Sequence, residues 1–321
     1  MDTLQKYLNT FQKLKQGITK YGKAPHKVIL LISVLQIIKN KQISQNLIFV
    51  SPELVMLYRT NWNLLVKTPH VCNFALPFWH LKGDGFWKLS PKDGFKSLLI
   101  EKKPVSSLGE LNSLIDHAKL NQDLYDLINN ERNNLILQQF LLNTYFPDSK
   151  DEFNKSIDSQ QISLNDIEYQ ILHKDPVEYR KEIEYLIQTN NEVEIFLRGS
   201  LFKREIPKIY NNTCCISGMK IDATINVSMI DACHIVPFSE SYDDTVTNGI
   251  ALCPNLHRAF DRGLICIDEN YKVVVSNTFI ENGNIYSLKT FEGKKIQLPK
   301  IKSYYPMKEN FGWHRGNIYK A

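Results

Sequence analysis

The sequence has no long apolar run. Its longest apolar stretch, VILLISVLQII at residues 28–38, has eleven residues, whereas a helix that spans a bilayer needs about 20. We therefore predict a buried core helix there and no membrane-spanning segment. The opening MDTLQKYLNTFQKLKQG predicts an amphipathic helix and contains no apolar region typical of a signal peptide.

Cysteine is also scarce. The 321 residues include six cysteines, five of them after residue 210, and no two are arranged as CxxC. A small secreted domain stabilised by disulfides has a denser and even framework. These absences exclude a disulfide scaffold and favour a cytoplasmic protein with reduced cysteines. The length is sufficient for two domains.

Charge is unevenly distributed along the chain. Residues 1–150 contain 19 Lys and Arg against 11 Asp and Glu, residues 151–200 contain 5 against 11, and residues 201–321 contain 15 against 12. Basic surfaces attract phosphate backbones, although a surplus of this size is also common on ordinary surfaces. We predict a first domain over 1–150, an acidic helical connector over 151–200 and a second domain over 201–321.

The first domain contains clear helix signals. Residues 26–39 predict the buried helix, and Ser51 followed by Pro52 is a strong helix start, since serine caps the first turn and proline suits its first position. The segment LPFWHLKGDGFWKLS at 76–90 alternates aromatic and polar residues around KGDG, which predicts a β-hairpin. Helices with a hairpin give a loosely winged-helix-like arrangement, and the fold class of the chain is α+β.

The stretch NGIALCPNLHRAFDRG at 248–263 carries a histidine and an aspartate four residues apart. Pro254 is suited to open a short helix and Gly263 to close it. Residues at i and i+4 share a helical face, so His257 and Asp261 would project together. The plain alternative is an ordinary helical side-chain pair.

Three polar residues follow one another in this region, at His234, Asn248 and His257. We predict two short strands before the helix, around TCCISG and VSMIDACHIV, and hence a ββα unit. With CHIVPF and FDRG, this pattern resembles the HNH nuclease family, the ββα-metal fold, in its restriction-type branch. The resemblance runs from about Cys215 to Asp268, with a looser match at FGWHRGNIY.

The resemblance implies phosphodiester hydrolysis with catalytic residues His234, Asn248 and His257. His234 would take the proton of a water molecule, because an imidazole titrates near neutral pH. His257 and Asp261 would hold one divalent cation, Mg²⁺ or Mn²⁺, against the scissile phosphate. Asn248 would position the loop that carries the histidine, or reach the metal.

The sequence departs from many HNH proteins at one position. They have a metal-binding aspartate just before the base histidine, where this chain has Cys233; Asp261 is our candidate replacement. A structural zinc site would need Cys214, Cys215, Cys253 and His257 together. Two adjacent cysteines bind one metal poorly, so we expect no structural zinc.

Two motifs of the first domain, APHKVILLISVL and LPFWHLKGDGFWKL, resemble the sulfur-binding domain of type IV restriction enzymes that recognise phosphorothioate-modified DNA. The resemblance covers about residues 5–150. It implies that Leu76 and Pro77 form a small apolar cavity for the sulfur and that His26 and Lys27 contact the flanking backbone. Basic contacts are further expected from Lys102 and Lys103.

These patterns predict a metal-dependent DNA endonuclease of a bacterial restriction or defence system that cleaves phosphorothioate-modified double-stranded DNA. The alternatives are an HNH restriction enzyme that recognises a methylated base or an unmodified short sequence, and a non-catalytic DNA-binding protein. A methylated base would be flipped into an aromatic pocket, which the aromatic segment at 76–90 would offer. Cleavage of both strands by one active site per chain favours a homodimer.

Overall fold

A computed structural model of the chain describes residues 2–95, 105–155, 162–221 and 228–321. The chain divides into two compact units, Met1–Leu164 and Asn165–Ala321. The boundary lies inside the acidic segment 151–200, most of which belongs to the second unit. Among the described helices, none is both long and apolar enough to cross a membrane.

The first unit is mainly helical, with two small antiparallel sheets. Strands β1 and β2 form one sheet, and β3 and β4 form the other. The elements are α1 (Thr3–Gln12), β1 (Ile18–Thr19), β2 (Gly22–Lys23), α2 (His26–Lys39), α3 (Pro52–Leu65), α4 (Ala75–His80), β3 (Trp87–Pro91), α5 (Leu108–Leu114), β4 (Ile115–Leu120), α6 (Gln122–Asn129), α7 (Glu131–Tyr145) and α8 (Lys150–Lys155).

Helix α2 is the centre of this unit, and its predicted bounds are confirmed. Its residues 27–38 are all buried, as expected for a helix that is apolar on every side. Two of its buried polar side chains are satisfied by α3: the Asn61 amide donates to Ser33 Oγ at 2.9 Å and to Gln36 Oε1 at 2.7 Å. The predicted start of α3 is also confirmed, since Ser51 Oγ accepts the N–H of Leu54.

The predicted β-hairpin at 76–90 is wrong. Residues 75–80 form α4, a short 3₁₀ turn follows, and β3 pairs with β4, whose residues come about thirty positions later. The aromatic side chains are spaced for a helix, with Phe74 and Phe78 on one face and their rings 5.6 Å apart. The alternation of aromatic and polar residues within 76–90 predicts two strands that pair with each other. The true partner of β3 is distant in sequence, so that local pairing does not form.

The described part of the second unit contains two small two-stranded sheets and several helices. Strand β5 pairs antiparallel with β6, and β7 pairs with β8. The elements are α9 (Ile162–His173), which begins just before the boundary, α10 (Pro176–Gln188), α11 (Glu192–Ile209), β5 (Asp231–His234), α12 (Phe238–Ser241), β6 (Gly249–Leu252), α13 (Pro254–Asp261), β7 (Ile265–Ile267), β8 (Val273–Val275) and α14 (Lys308–Asn317).

The ββα unit is therefore β5, β6 and α13. The prediction of a strand around TCCISG is wrong, because that stretch forms turns closed by a single bridge between Thr213 and Lys220. The predicted helix of the NGIALCPNLHRAFDRG stretch is confirmed, with Pro254 at its first position. Gly263 ends it at φ +70°, where a Cβ atom would lie 2.1 Å from the carbonyl oxygen of Ile318. Glycine is thus required for both its conformation and its lack of a side chain.

Candidate functional site

His234 is the last residue of β5, and its imidazole is held on two sides. Its ring stacks on Phe202 of α11, with centroids 3.9 Å apart and planes 10° from parallel. Its Nε2 atom lies 2.8 Å from Oδ1 of the buried Asp244. A carboxylate only accepts hydrogen bonds, so in a neutral imidazole this contact favours the proton on Nε2 and the lone pair on Nδ1. A histidine in this form can accept a proton at Nδ1.

Asn248 is fully buried one residue before β6, and its amide is used entirely within the protein. Its Oδ1 accepts the N–H of Val236, and its Nδ2 donates to the carbonyl oxygens of Val236 and Asp243 and to Ser241 Oγ. These bonds tie β6 to the loop that follows His234. Of the two roles that the sequence left open for Asn248, this arrangement favours positioning the loop over reaching a metal.

His257 projects from α13 between two carboxylates. Its Nε2 lies 3.4 Å from Asp261 Oδ2, and its Nδ1 lies 3.2 Å from Asp231 Oδ2 on β5. The i, i+4 spacing in the sequence predicts the pairing of His257 with Asp261 but not the contact of His257 with Asp231. One signal was available: Asp231 and Cys233 are two residues apart on a strand and so share a face, which places a carboxylate beside the position of the absent aspartate.

One group of side chains in the described part of the chain is arranged to hold a metal ion. Donor atoms of Cys233, His257 and Asp261 lie within 4.8 Å of one another. Burial, reinforced by the charge of Asp261, raises the pKa of the Cys233 thiol well above its usual range. The thiol therefore stays protonated and is a poor ligand for a hard cation. His257 and Asp261 supply a nitrogen and carboxylate oxygens, donors that fit Mn²⁺ or Mg²⁺, whereas Asp231 lies at the other ring nitrogen of His257 and outside this group.

His234, His257 and Asp261 line one cleft of about 370 Å³, and Asp231 is not part of its lining. The base candidate and the metal-binding candidates share it, with a lysine from α11 and a histidine from α14 beside them. An activated water and a phosphate could therefore meet in one space. Its lining is Lys203, Ala232, His234, Ile235, Pro237, Phe238, His257, Asp261, His314 and Ile318.

The remaining cysteines do not gather around one point. The thiols of Cys214 and Cys253 are hydrogen-bonded, and that bond lowers the pKa of Cys214 to about 5. Cys215 is buried, and burial raises the pKa of its thiol. Within the described residues, the four zinc donors considered from the sequence do not form a group of metal-binding geometry.

In the first unit, the residues assigned to DNA contact differ in exposure. The His26 Nε2 atom lies 2.9 Å from the carbonyl oxygen of Val71, and its ring lies 4.6 Å from that of Trp62. Lys27 is buried and forms a 2.6 Å ion pair with Asp84, so its charge is already partnered. Lys102 and Lys103 lie outside the described residues.

Leu76 and Pro77 lie on the first turn of α4. Leu76 is half-buried, Pro77 is buried, and Asn73 Oδ1 accepts the N–H of Leu76. The exposed His80 lies four residues after Leu76, so the two share a face of the helix. Burial, together with the charges of Lys27 and Lys82, lowers the pKa of His80. This face therefore combines a half-buried apolar side chain with an imidazole that favours its neutral form.

Comparison with known families gives a match to each unit. Residues 214–268 match the family described as HNH endonuclease, and residues 4–153 match the family described as ScoMcrA-like DNA sulfur-binding domain. The chain carries an HNH endonuclease domain and a sulfur-binding domain. The HNH match contains His234, Asn248 and His257, but it does not include α11, which supplies Phe202 and Lys203. No curated protein matches the chain.

Three solved structures resemble parts of the chain. The "Modification dependent TagI restriction endonuclease" is 19% identical over 36% of this chain, with a TM-score of 0.29, and the chain spans only 37% of its length. The "Sulfur binding domain of ScoMcrA complexed with phosphorothioated DNA" is 19% identical over 44% of this chain and 87% of that one, with a TM-score of 0.35. The "Type IV phosphorothioation-dependent restriction endonuclease ScoMcrA" is 11% identical over 79% and 94%, with a TM-score of 0.35.

Proposed function

We propose that the protein is a divalent-metal-dependent endonuclease that cleaves phosphorothioate-modified double-stranded DNA in bacterial defence. The observation that carries this proposal is the presence of both domains in one chain, one typical of DNA cleavage and the other of sulfur recognition. The HNH domain supports the reaction because its base candidate and its metal-binding candidates line one cleft. Cleavage of both strands by one site per chain favours a homodimer, which sedimentation with DNA would detect.

In the proposed reaction, Nδ1 of His234 removes a proton from the attacking water. Phe202 and Asp244 hold the imidazole while it does so, and Asn248 fixes the loop that follows it. A bound Mg²⁺ or Mn²⁺ ion would neutralise charge on the scissile phosphate. His257 and Asp261 would hold that ion, while Asp231 contacts the other ring nitrogen of His257. The Lys203 ammonium would attract a neighbouring phosphate into the cleft.

The carboxylates give a prediction for metal affinity. Asp261→Asn and Asp231→Asn each remove one negative charge beside His257, so each should weaken Mn²⁺ binding roughly tenfold or more. Calorimetric titration of the DNA-free protein measures this without relying on cleavage. Glu269→Gln, an exposed carboxylate outside the cleft, is the matched control. Unchanged Mn²⁺ affinity in Asp261→Asn would make that residue a structural partner of His257.

Sulfur recognition is proposed for the exposed face of α4. A phosphorothioate sulfur is larger and less strongly hydrated than a phosphate oxygen, so an apolar surface at the half-buried Leu76, backed by the buried Pro77, would desolvate it at lower cost. Base flipping into the aromatic segment is disfavoured by burial, since Phe78, Trp79 and Phe86 are each at most 3% exposed. These rings form core and offer no free face for a stacked base.

This proposal predicts a binding preference. Full-length protein inactivated by His234→Ala should bind a phosphorothioate duplex about 5- to 150-fold more tightly than the same duplex with ordinary phosphate. That range corresponds to the roughly 1–3 kcal/mol cost of burying an unpartnered polar group. Basic residues attract both duplexes equally, so this term cancels. Fluorescence anisotropy at fixed salt measures both affinities.

Two leucine variants test where the preference arises. Leu76→Glu should abolish the preference while leaving most of the affinity for ordinary duplex. Leu135 is an exposed leucine of α7, so Leu135→Glu adds the same charge to the first unit away from α4. This variant should retain the preference for the phosphorothioate duplex. If the His234→Ala protein with Leu76 unchanged binds both duplexes with equal affinity, sulfur recognition is excluded. The HNH assignment would remain intact.

A further inference from the structure

Helix α11 lies outside the segment that matches the HNH family, yet it packs directly on the base histidine. The β5–β6 register pairs His234 with Gly249. A Cβ atom at Gly249 would lie 2.3 Å from Ile206 and 2.8 Å from Phe202, both on α11. The backbone φ of Gly249 is −129°, which any residue adopts, so glycine is required here for close approach. The contact brings Phe202 flat against the imidazole.

We propose that Asp244 and Phe202 are positioning residues for His234: the carboxylate fixes which ring nitrogen carries the proton, and the phenyl ring fixes the plane of the imidazole. This inference rests on the proposed role of His234 as the base. It extends the active site to α11, which begins in the segment predicted as a connector and ends in the predicted second domain.

Asp244 is suited to this task by its burial. It is 2% exposed, and its Oδ1 lies 2.8 Å from Nε2 of His234. A buried carboxylate is costly to desolvate unless it accepts hydrogen bonds, so the Nε2–H group of His234 is a necessary partner. The reverse tautomer would turn a lone pair toward the carboxylate and leave both groups unsatisfied. The pair therefore favours the Nε2–H form, with Nδ1 available to the water.

Residues of α10 and α11 also lie near Asp244. Its Oδ2 lies beside Gly199 of α11, 3.8 Å from where a Cβ atom would stand. Tyr179 of α10 is near enough that the charge of Asp244 adds to burial in raising the pKa of its phenol. Arg198 of α11 is 1% exposed and lies over the Tyr179 ring, 5.1 Å from its centroid. Helices α10 and α11 thus both supply neighbours of Asp244.

Phe202 restricts the remaining freedom of the imidazole. A hydrogen bond at Nε2 alone permits rotation of the ring about that bond. Stacking at 3.9 Å with a 10° angle between planes excludes most of that rotation. Together the two contacts hold Nδ1 in one direction, which is the geometric requirement for a general base.

The direct test is the tautomer of His234, read from ¹⁵N chemical shifts of the imidazole in alkaline solution with ring-labelled histidine. The DNA-free full-length protein should show a proton on Nε2. Asp244→Asn should give a mixture or the Nδ1–H form, because an amide can donate as well as accept. Asp243→Asn, the same change at the adjacent buried carboxylate, should keep the Nε2–H form. A wild-type protein with Nδ1–H would overturn the proposal.

Kinetics provide a second readout. Asp244→Asn should lower kcat at least tenfold and at most about 10⁴-fold, the cost of a wrong tautomer in a Ser-His-Asp triad, with KM for DNA unchanged. Phe202→Leu should lower kcat severalfold while keeping the Nε2–H tautomer, and this variant decides the kinetic question if Asp244→Asn does not fold. A kcat within twofold of wild type in both would contradict the proposal. If the wild-type protein does not cleave DNA, the proposed function is contradicted instead. The tautomer of His234 would still show whether Asp244 positions the imidazole.

Discussion

Replacing His234 with alanine should reduce DNA cleavage about 10²- to 10⁴-fold, the usual cost of losing a general base, while leaving DNA affinity unchanged. The imidazole acts only in the chemical step, and the recognition residues proposed here lie in the other unit. Single-turnover cleavage of a labelled duplex measures the first quantity, and anisotropy measures the second.

Loss of the side chain also removes the Phe202 stack and the Asp244 hydrogen bond, so folding needs its own check by thermal melting. His173→Ala is the matched control, since this histidine of the same unit lies outside the cleft. A folded His234→Ala protein that cuts within a few-fold of wild type would show that another group is the base.

Replacing His257 with alanine should abolish detectable Mn²⁺ binding and lower cleavage by about 100-fold or more. The imidazole is the nitrogen donor between Asp231 and Asp261, and without it the two carboxylates lose their common partner. Substitutions that only support a metal ligand already cost about 10- to 100-fold in affinity or activity. Calorimetry with Mn²⁺ and cleavage across a metal titration measure the two effects.

Asn255→Ala, at an exposed position on the first turn of α13, is the control for changes to the helix itself. Asn255→Ala should bind Mn²⁺ and cleave as wild type does. If His257→Ala cleaves normally once Mn²⁺ is raised, His257 contributes metal affinity alone. Full Mn²⁺ affinity in His257→Ala would place the metal elsewhere.

The sequence predicts helices well where their signals are local. The apolar run at 28–38 predicts α2. Ser51 and Pro52 predict the start of α3, and Pro254 and Gly263 mark the two ends of α13. Strands are harder because a strand is defined by its partner. The partner of β3 is β4, about thirty residues later, and no pattern within 76–90 reveals it.

The site residues differ in the same way: those that belong to a local sequence pattern are predictable, and those brought together by tertiary packing are not. The order His234, Asn248, His257 in the sequence identifies the site residues. The fold places His234 and His257 in one cleft and Asn248 against the loop beside it. Asp231 was predictable from strand periodicity, but Asp244 and Phe202 were not. Phe202 is 32 positions before the histidine and is brought to it by the packing of α11 against Gly249. Glycine is needed at position 249 because of this tertiary contact, which no local sequence pattern reveals.

The most direct test of the account is cleavage of two plasmids of identical sequence, one with phosphorothioate linkages and one without, in Mg²⁺ or Mn²⁺ and again with EDTA. The account predicts that the full-length protein cuts the phosphorothioate plasmid, that it leaves the ordinary plasmid largely intact, and that EDTA stops the reaction. Equal cutting of both plasmids, or cutting that persists in EDTA, would contradict it.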